Sequence, residues 1–571
     1  MKGFIMFKKI ISAAILSVMA VNITVSAFEF PEPDWGALLK EKRDMVSKTE
    51  FEIYAEADPN TAPYYGARLE PRSGTYIGMI AEESVPFKPI GSYLTYVQDM
   101  WQNDIYYPAN NMIKEDNVVT TIGWTISNLG TVDYNQIRRV LDTLSSYNKP
   151  MIIRFANEMN VSSIGDDPTL YVDTFRKVAD MVHEYPNFAT VWSPNDLGAL
   201  NRPFHYYYPG DQYVDWIGIS SYMKQYFQGS KDTSDKDAAY FMTGKYAWAT
   251  NAIKPILKFM QDNGIQKPVM LSECGVATNN IFGEDMTEWA TPRLRNLYWY
   301  LIMKYPQIKM INSFNTHRPS ETERYDITNY PFASDIYREA SQIGAYLHSS
   351  DDKAEFVFQP ANNAGTLKAN NGIVKLYTLA YIMGQPDLTV NYSIDDVWYH
   401  SSNQIPYVCN MSVANIADGK HTLTIYCGSA SNKYIFYKRG DCIRFGEEPD
   451  AAMVSKSDVK VKINGTEIEF EQDPIIEDGS TLVPMRKIFE TLGATVDWDG
   501  NNKTITSKRG ETEIKMTIGY NQLTVNGKTI MLEVPAKLIN DTTMVPVRAI
   551  AESFGSKVDW DGSTRTVIIT E

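Results

Sequence analysis

Histidine and cysteine, the usual builders of metal centres and covalent frameworks, are scarce. Of 571 residues only six are histidine and four are cysteine. No Cys/His or His/His pair has metal-ligand spacing, so no structural metal and no cofactor are expected. Cys274 stands apart and is expected to be an unpaired buried thiol. Cys409, Cys427 and Cys442 lie close enough in sequence for one disulfide, with its partners left open.

Long apolar runs are also lacking. The run from Ile10 to about Val21 is shorter than the roughly 20 apolar residues a membrane span needs. It follows Lys8-Lys9 and precedes the small residues Val25-Ser26-Ala27, so residues 1–27 read as a signal peptide. No later stretch is apolar enough to cross a bilayer. A secreted, extracellular protein is expected, free or held at the cell surface by other means, without a transmembrane anchor. Excess positive charge is missing too. With 54 Lys and Arg against 69 Asp and Glu, the net charge of −15 argues against nucleic acid as a partner. It fits an uncharged ligand such as neutral polysaccharide, and 36 Tyr and 11 Trp supply aromatic faces on which sugar rings stack.

The length left after the leader suits three or four domain-sized units. From about 70 to 347, short β-branched or aromatic runs alternate with amphipathic helical patterns. Strands are predicted at Tyr76 to Ile80, Val119 to Trp124, Pro150 to Phe155, Phe188 to Trp192, Val214 to Ser220, Pro268 to Ser272 and Lys309 to Phe314. Helices are predicted at Asn135 to Tyr147, Leu170 to His183 and Ala247 to Gln261. Such alternation predicts a parallel sheet, and the length suits a closed (β/α)8 TIM barrel over residues 28–350. A doubly wound sheet is the alternative, but no glycine-rich phosphate turn follows an early strand.

After His348-Ser-Ser-Asp-Asp352 only short alternating runs remain up to about 446, which predicts a small β-sandwich over 354–446. Tyr392-Ser-Ile-Asp-Asp and Ala417-Asp-Gly-Lys-His-Thr-Leu-Thr resemble bacterial immunoglobulin-like accessory domains. Residues 458–571 contain a repeat. Val483-Pro-Met-Arg recurs as Val545-Pro-Val-Arg, Val496-Asp-Trp-Asp-Gly as Val558-Asp-Trp-Asp-Gly, and Asn464-Gly as Asn526-Gly, all at an offset of 62 residues. Each α+β unit reads as a hairpin, a short helix and a strand. The pair is similar to the stalk, or copper amine oxidase N-terminal-like, domain of exported bacterial proteins. That resemblance implies a spacer or a module for cell-wall or surface attachment; no copper-ligand cluster is present.

The chemistry centres on Lys149-Pro-Met-Ile-Ile-Arg-Phe-Ala-Asn-Glu-Met-Asn160. An apolar strand ends in a polar cluster, and alternation puts Arg154, Ala156 and Glu158 on one face. In a barrel that face is the interior, and strand C-terminal ends carry the active site. Lys267-Pro-Val-Met-Leu-Ser-Glu-Cys-Gly275 repeats the arrangement, ending in Glu273. A single strand-end glutamate is ordinarily a cap or an ion-pair partner. Two of them across one barrel mouth suit glycoside hydrolysis, with one acid/base and one nucleophile.

Arg-Phe-Ala-Asn-Glu-Met-Asn and Ser-Glu-Cys-Gly resemble the fourth and seventh strands of clan A glycoside hydrolases. Gly130-Thr-Val-Asp-Tyr, Val191-Trp-Ser-Pro-Asn195 and Tyr208-Pro-Gly-Asp-Gln-Tyr-Val-Asp-Trp-Ile-Gly218, with Tyr222, narrow the resemblance to glycoside hydrolase family 26, home of many β-mannanases. It implies Glu158 as acid/base with a raised pKa and Glu273 as nucleophile, kept ionised by Arg154 and Tyr222. Asn157 and Asn195 would join the substrate site. Trp124 and Trp192 are sugar platforms or plain barrel core. The chain departs from the family at Asn157, where His is usual, at Val161-Ser-Ser, and in the lack of Trp between Ile311 and His317. The expected activity is retaining hydrolysis of a β-linked polysaccharide, β-mannan first, then β-xylan or β-glucan. A non-catalytic carbohydrate-binding or cell-envelope protein on the same scaffold is the alternative.

Overall fold

Eight short runs of mainly apolar residues form the strands β1 (Thr75–Ile80), β2 (Ser92–Val97), β3 (Val119–Trp124), β4 (Met151–Phe155), β5 (Phe188–Trp192), β6 (Trp216–Met223), β7 (Val269–Val276) and β8 (Ile308–Phe314). They pair in chain order, all parallel, and β8 returns to β1 with Tyr76 opposite Met310 and Ile80 opposite Phe314. The sheet is thereby closed into an eight-stranded parallel barrel. The computed structural model describes residues 28–571 except 81–89, 98–116, 196–201, 227–243, 245–247, 317–320, 386, 450–458, 471, 478, 501, 540–541 and 563. The expected signal peptide, residues 1–27, lies outside the described residues, as do Ala247 and His317. Seven strands fall where the pattern predicts them; β2 is the addition.

The barrel helices include α1 (Tyr134–Ser145), α2 (Pro168–His183), α3 (Ala249–Asp262), α4 (Thr287–Arg295) and α5 (Pro331–Ser341). Local chemistry starts the first two. The Asp133 carboxylate accepts from the backbone N–H groups of Asn135 and Gln136, and Asp167 accepts from Leu170 ahead of Pro168 in the first turn. Both use a short acidic cap on otherwise unpaired amides. In α1, Ile137, Leu141 and Leu144 are buried at the four- and three-residue spacing of one helix face.

The interior changes character along the strands. Tyr76, Val119, Ile152, Val191, Met270 and Met310 belong to one buried apolar cluster. Two residues further along, on the same side of each strand, stand Gly78, Thr121, Arg154, Ser193, Ser272 and Asn312. The N-terminal end of the barrel is therefore plugged with apolar side chains. Its C-terminal end is lined mostly by polar ones, where barrel sites are built.

One strand from the N-terminal region joins sequence-distant partners. Thr49–Ala57 runs antiparallel to residues 376–382 on one side and to Val357–Pro360 on the other. Glu50 on this strand pairs with Lys304 and, at 3.4 Å, with Lys254 of α3. Trp248, just before α3, stacks on Tyr381 with ring centroids 4.4 Å apart and planes 7° from parallel. Pairing across more than 300 residues leaves no trace in local sequence.

The chain divides into two compact units, 1–365 with 375–410 and 423–434, and 366–374 with 411–422 and 435–571. This division runs through the strands of 354–446. Cys274, Cys409, Cys427 and Cys442 are all buried free thiols, so the disulfide left open by the sequence is not formed. In the second unit the 62-residue repeats face each other. Ser480–Pro484 and Thr542–Pro546 are antiparallel neighbours, with Val483 opposite Val545. Asn464-Gly465 and Asn526-Gly527 both turn with positive φ, the conformation Asn-Gly hairpin turns require. Among the described residues, no helix is long and apolar enough to cross a membrane.

Candidate active site

Glu273 reaches the barrel interior through an irregularity in β7. Ile219 of β6 lies opposite Leu271, but the next residue, Ser220, lies opposite Glu273, so one extra residue is accommodated on β7. The Ser193 hydroxyl donates to Ser272 Oγ at 3.0 Å, while Glu273 pairs with the fully buried Arg154. Two successive side chains thus face inward, which regular alternation forbids and a β-bulge permits.

Glu158 is placed by a different device. Strand β4 ends at Phe155, and Ala156 (φ 47°) and Glu158 (φ 56°) both adopt left-handed conformations. Alternation therefore holds for Ile152 and Arg154 but does not extend to Glu158; a turn delivers it. The turn is pinned from both flanks: Ala156 N–H donates to the Trp124 carbonyl and Glu158 N–H to the Ser193 carbonyl, each at 2.9 Å. Left-handed backbone at two non-glycine residues costs energy and persists only where surroundings over-determine it. Asn195 Nδ2 then donates to Glu158 Oε1 at 3.3 Å. Asn195 is itself locked to Asn160 by reciprocal bonds of 2.8 and 2.9 Å.

Arg154 is the hub around Glu273. Its Nη1 donates to Glu273 Oε1 and, at 3.2 Å, to the Tyr96 hydroxyl. Its Nη2 donates to Ser220 Oγ at 2.7 Å, and its Nε to Ser193 Oγ at 3.0 Å. A guanidinium removed from water is costly unless paired in this way. Glu273 also accepts from Tyr96 at Oε1 and from Tyr222 at Oε2, the latter at 2.8 Å. Burial by itself would raise its pKa. The charge of Arg154 and the hydrogen bonds from Tyr96, Tyr222 and Arg154 outweigh burial, and Glu273 titrates below the ordinary carboxylate value. Glu158 goes the other way. Burial raises its pKa, the charge of Glu273 adds to the rise, and Arg154, Ser220 and Asn195 offset only part of it. The two carboxyl groups are thus shifted in opposite directions, Glu273 towards the ionised form and Glu158 towards the protonated one, the direction of division that acid and nucleophile need.

The structure gathers Glu158, Glu273, Arg154, Asn195 and Tyr222 into this network. Asn157 is partly exposed beside Glu158, and its Oδ1 has no hydrogen-bond partner among the described residues. Trp124 and Trp192 are fully buried. Each follows an inward-facing residue, Gly123 or Val191, and so faces outward from the barrel. Trp124 meets Phe155 edge-on at 6.3 Å, and Trp192 packs on Phe204, Tyr208 and Phe259 of α3. They are core, and sugar-platform duty is corrected for both: burial leaves no open indole face. Tyr96, Ser193 and Ser220 are the participants that sequence reasoning missed. Tyr96 sits on the unpredicted strand β2, Ser193 stands inside Val191-Trp-Ser-Pro-Asn195, and Ser220 ends a predicted strand two residues before Tyr222. Among the described residues, no three His, Cys, Asp or Glu side chains gather as a metal-ligand set.

Comparison with known proteins follows the same lines. Residues 108–288 match glycosyl hydrolase family 26. Residues 462–569 match the copper amine oxidase N-terminal domain. A β-1,3-xylanase from Vibrio sp. is 27% identical over 128 residues, which are 21% of this chain and 26% of that protein. A β-1,3-xylanase from Alcaligenes sp. gives the same identity and coverage. The match thus spans about a quarter of the length of these curated relatives. Among solved structures, a Cellulomonas fimi endo-β-1,4-mannanase double mutant is 12% identical, covering 64% of this chain and 95% of its own, with a TM-score of 0.36. A family 26 β-mannanase from Bacteroides ovatus is 14% identical, covering 57% and 97%, with a TM-score of 0.35. At such scores these likenesses add no argument to the topology already described. The family 26 segment contains both carboxylates, Arg154, Asn195 and Tyr222, but begins after Tyr96.

Proposed function

We propose that this chain is a retaining glycoside hydrolase of a β-linked polysaccharide. The observation that carries the reading is the meeting of two carboxyl groups at the C-terminal end of one barrel, Glu273 held by Arg154, Tyr96 and Tyr222 and Glu158 by Asn195. Their opposite displacement, Glu273 downward and Glu158 upward, agrees with it, and retention follows the family resemblance. In the first step the Glu273 carboxylate attacks the anomeric carbon while the Glu158 carboxyl gives its proton to the departing glycosidic oxygen. The bond between that oxygen and the anomeric carbon breaks, leaving a glycosyl ester on Glu273. The Glu158 carboxylate then takes a proton from water, whose oxygen displaces Glu273. Arg154, Tyr96 and Tyr222 hold the nucleophile anionic between turnovers.

β-Mannan is the first substrate proposed, on the family resemblance, with β-xylan and β-glucan next; the names of the curated relatives add β-1,3-xylan. The leader-like residues 1–27 support action outside the cell, and the 62-residue repeats support a spacer or attachment role. A non-catalytic carbohydrate-binding or cell-envelope protein is the second reading, favoured by the departures from the family at Asn157, at Val161-Ser-Ser and in the lack of Trp between Ile311 and His317. A reducing-sugar assay on mannan, β-1,4-xylan, β-1,3-xylan and mixed-linkage glucan tests the choice. Release from at least one is expected, with products of retained anomeric configuration. Glu158→Gln is expected to lower turnover by about 10²–10⁴-fold, the usual worth of general acid catalysis. Undiminished activity in Glu273→Gln, or inverted products, would overturn the mechanism; silence on all four polymers would favour the second reading.

A further inference from the structure

Outside the barrel, the first unit exposes an aromatic pair that the hydrolytic site does not use. Trp398 is 64% exposed and Tyr426 is 36% exposed. They lie on strands Val397–Ser402 and Gly419–Cys427, on either side of Val390–Ile394. The register gives both rings the same face, with a β-bulge at Tyr399 bringing Trp398 to the side of Ser401, to which its indole donates. Asn391 is opposite Tyr426 on one side and Ser401 on the other, while Ser393 is opposite Thr424 and Trp398. Asn391 and Ser393 are two apart on one strand and share a side. Two steps across the sheet and one two-residue step along it put the Cα atoms of the two residues roughly 12 Å apart, about the length of a disaccharide unit of an extended β-linked chain.

The ground between the rings is polar and fixed. Trp398 Nε1 donates to Ser401 Oγ at 3.4 Å, and Ser401 Oγ donates to Asn391 Oδ1 at 2.7 Å. These bonds orient the indole and leave the Asn391 amide nitrogen without a protein partner among the described residues. None of these six side chains is charged. Asp396, at the adjoining turn, is paired with Lys433 at 3.7 Å. A protein-docking patch would be contiguous and apolar; here polar side chains separate the two rings. The cation beside this face, Lys433, is already paired with Asp396, and an anionic ligand would meet a net charge of −15 overall. A pyranose chain has the complementary chemistry, with apolar ring faces for the aromatics and hydroxyl groups for the amide and hydroxyl between them.

We propose that this face is a second polysaccharide-binding site, which takes an uncharged, extended β-linked chain across Trp398 and Tyr426. The choice of occupant rests on the polysaccharide reading given above; the site is separate from the catalytic carboxylates. The test uses the full chain carrying Glu273→Gln, so that retention is read without hydrolysis. Retention on insoluble mannan, xylan and cellulose is compared with and without Trp398→Ala, Tyr426→Ala and Trp398→Phe. At least about a tenfold loss of retention on one polymer is expected for Trp398→Ala, a similar direction for Tyr426→Ala, and partial recovery for Trp398→Phe. Unchanged retention in both alanine variants means that binding resides in the barrel alone and overturns the proposal, as does a Glu273→Gln chain that none of the polymers retains. A chain with Glu273 intact that hydrolyses nothing yet is retained through Trp398 would sink the hydrolase reading and leave this site standing.

Discussion

Removing one hydroxyl tests the electrostatics of the site. Tyr96→Phe deletes the donor to Glu273 Oε1 while leaving Arg154 and Tyr222 in place. A hydrogen bond to a charged acceptor contributes about 1.5–3 kcal/mol, and one pKa unit corresponds to about 1.4 kcal/mol. Glu273 must be ionised to attack, so its titration sets the acid limb of kcat/KM, and Glu158 must be protonated, so its titration sets the basic limb. The folded-state pKa of Glu273 is depressed; losing a hydrogen bond that favours the anion raises it. The acid limb should therefore move to higher pH by about one to two units. The basic limb should stay nearly fixed, because Glu273 is already ionised where Glu158 titrates. A full pH profile of kcat/KM for both proteins reads this directly. An acid limb that does not move, with activity merely scaled down, would refute the claim that Tyr96 holds Glu273 ionised.

Three further outcomes are expected. A Cβ on Gly123 would stand 2.7 Å from two ring carbons of Tyr96, so Gly123→Ala should displace the ring and move the acid limb as Tyr96→Phe does. It should also cost about 1–3 kcal/mol in urea unfolding, the usual penalty for overpacking; an unaltered pH profile would contradict the steric argument. Lys309 on β8 is 1% exposed, and burial pulls its pKa down to about 8, Glu70 opposing and Arg72 adding. At pH 7 it is charged in both folded and unfolded states, so Lys309→Met should stabilise the fold by at most about 3 kcal/mol. Because the unfolded chain binds more protons between about pH 8 and 10.5, wild-type stability should rise across that window and the variant's advantage shrink; a destabilised variant at pH 7 would oppose this. Finally, alkylation of the denatured, unreduced chain should modify Cys274, Cys409, Cys427 and Cys442 alike, as detected by mass. Any pair that reacts only after reduction would reveal a disulfide.

The sequence by itself determined the elements whose signals are local. Apolar runs flanked by turns gave seven of the eight barrel strands, acidic caps started α1 and α2, and repetition at 62 residues exposed the paired C-terminal units. Glu158, Glu273, Arg154, Asn195 and Tyr222 could be named because polar residues at the ends of apolar strands are conspicuous against the cost of burying them. Tertiary structure decided how those residues meet. A bulge at Ser272 and Glu273 turns two consecutive side chains inward, and left-handed residues at Ala156 and Glu158 replace the alternation that strand periodicity predicts. Tyr96 is invisible as a site residue until β2 lies between β1 and β3, because its contact with Glu273 spans 177 positions. Trp124 and Trp192 read equally well as platform or core, and only tertiary packing buries them, Trp124 beside Phe155 and Trp192 against Phe204, Tyr208 and Phe259. Periodicity reports which side of a local element a residue occupies; bulges, turns and long-range packing determine what it faces.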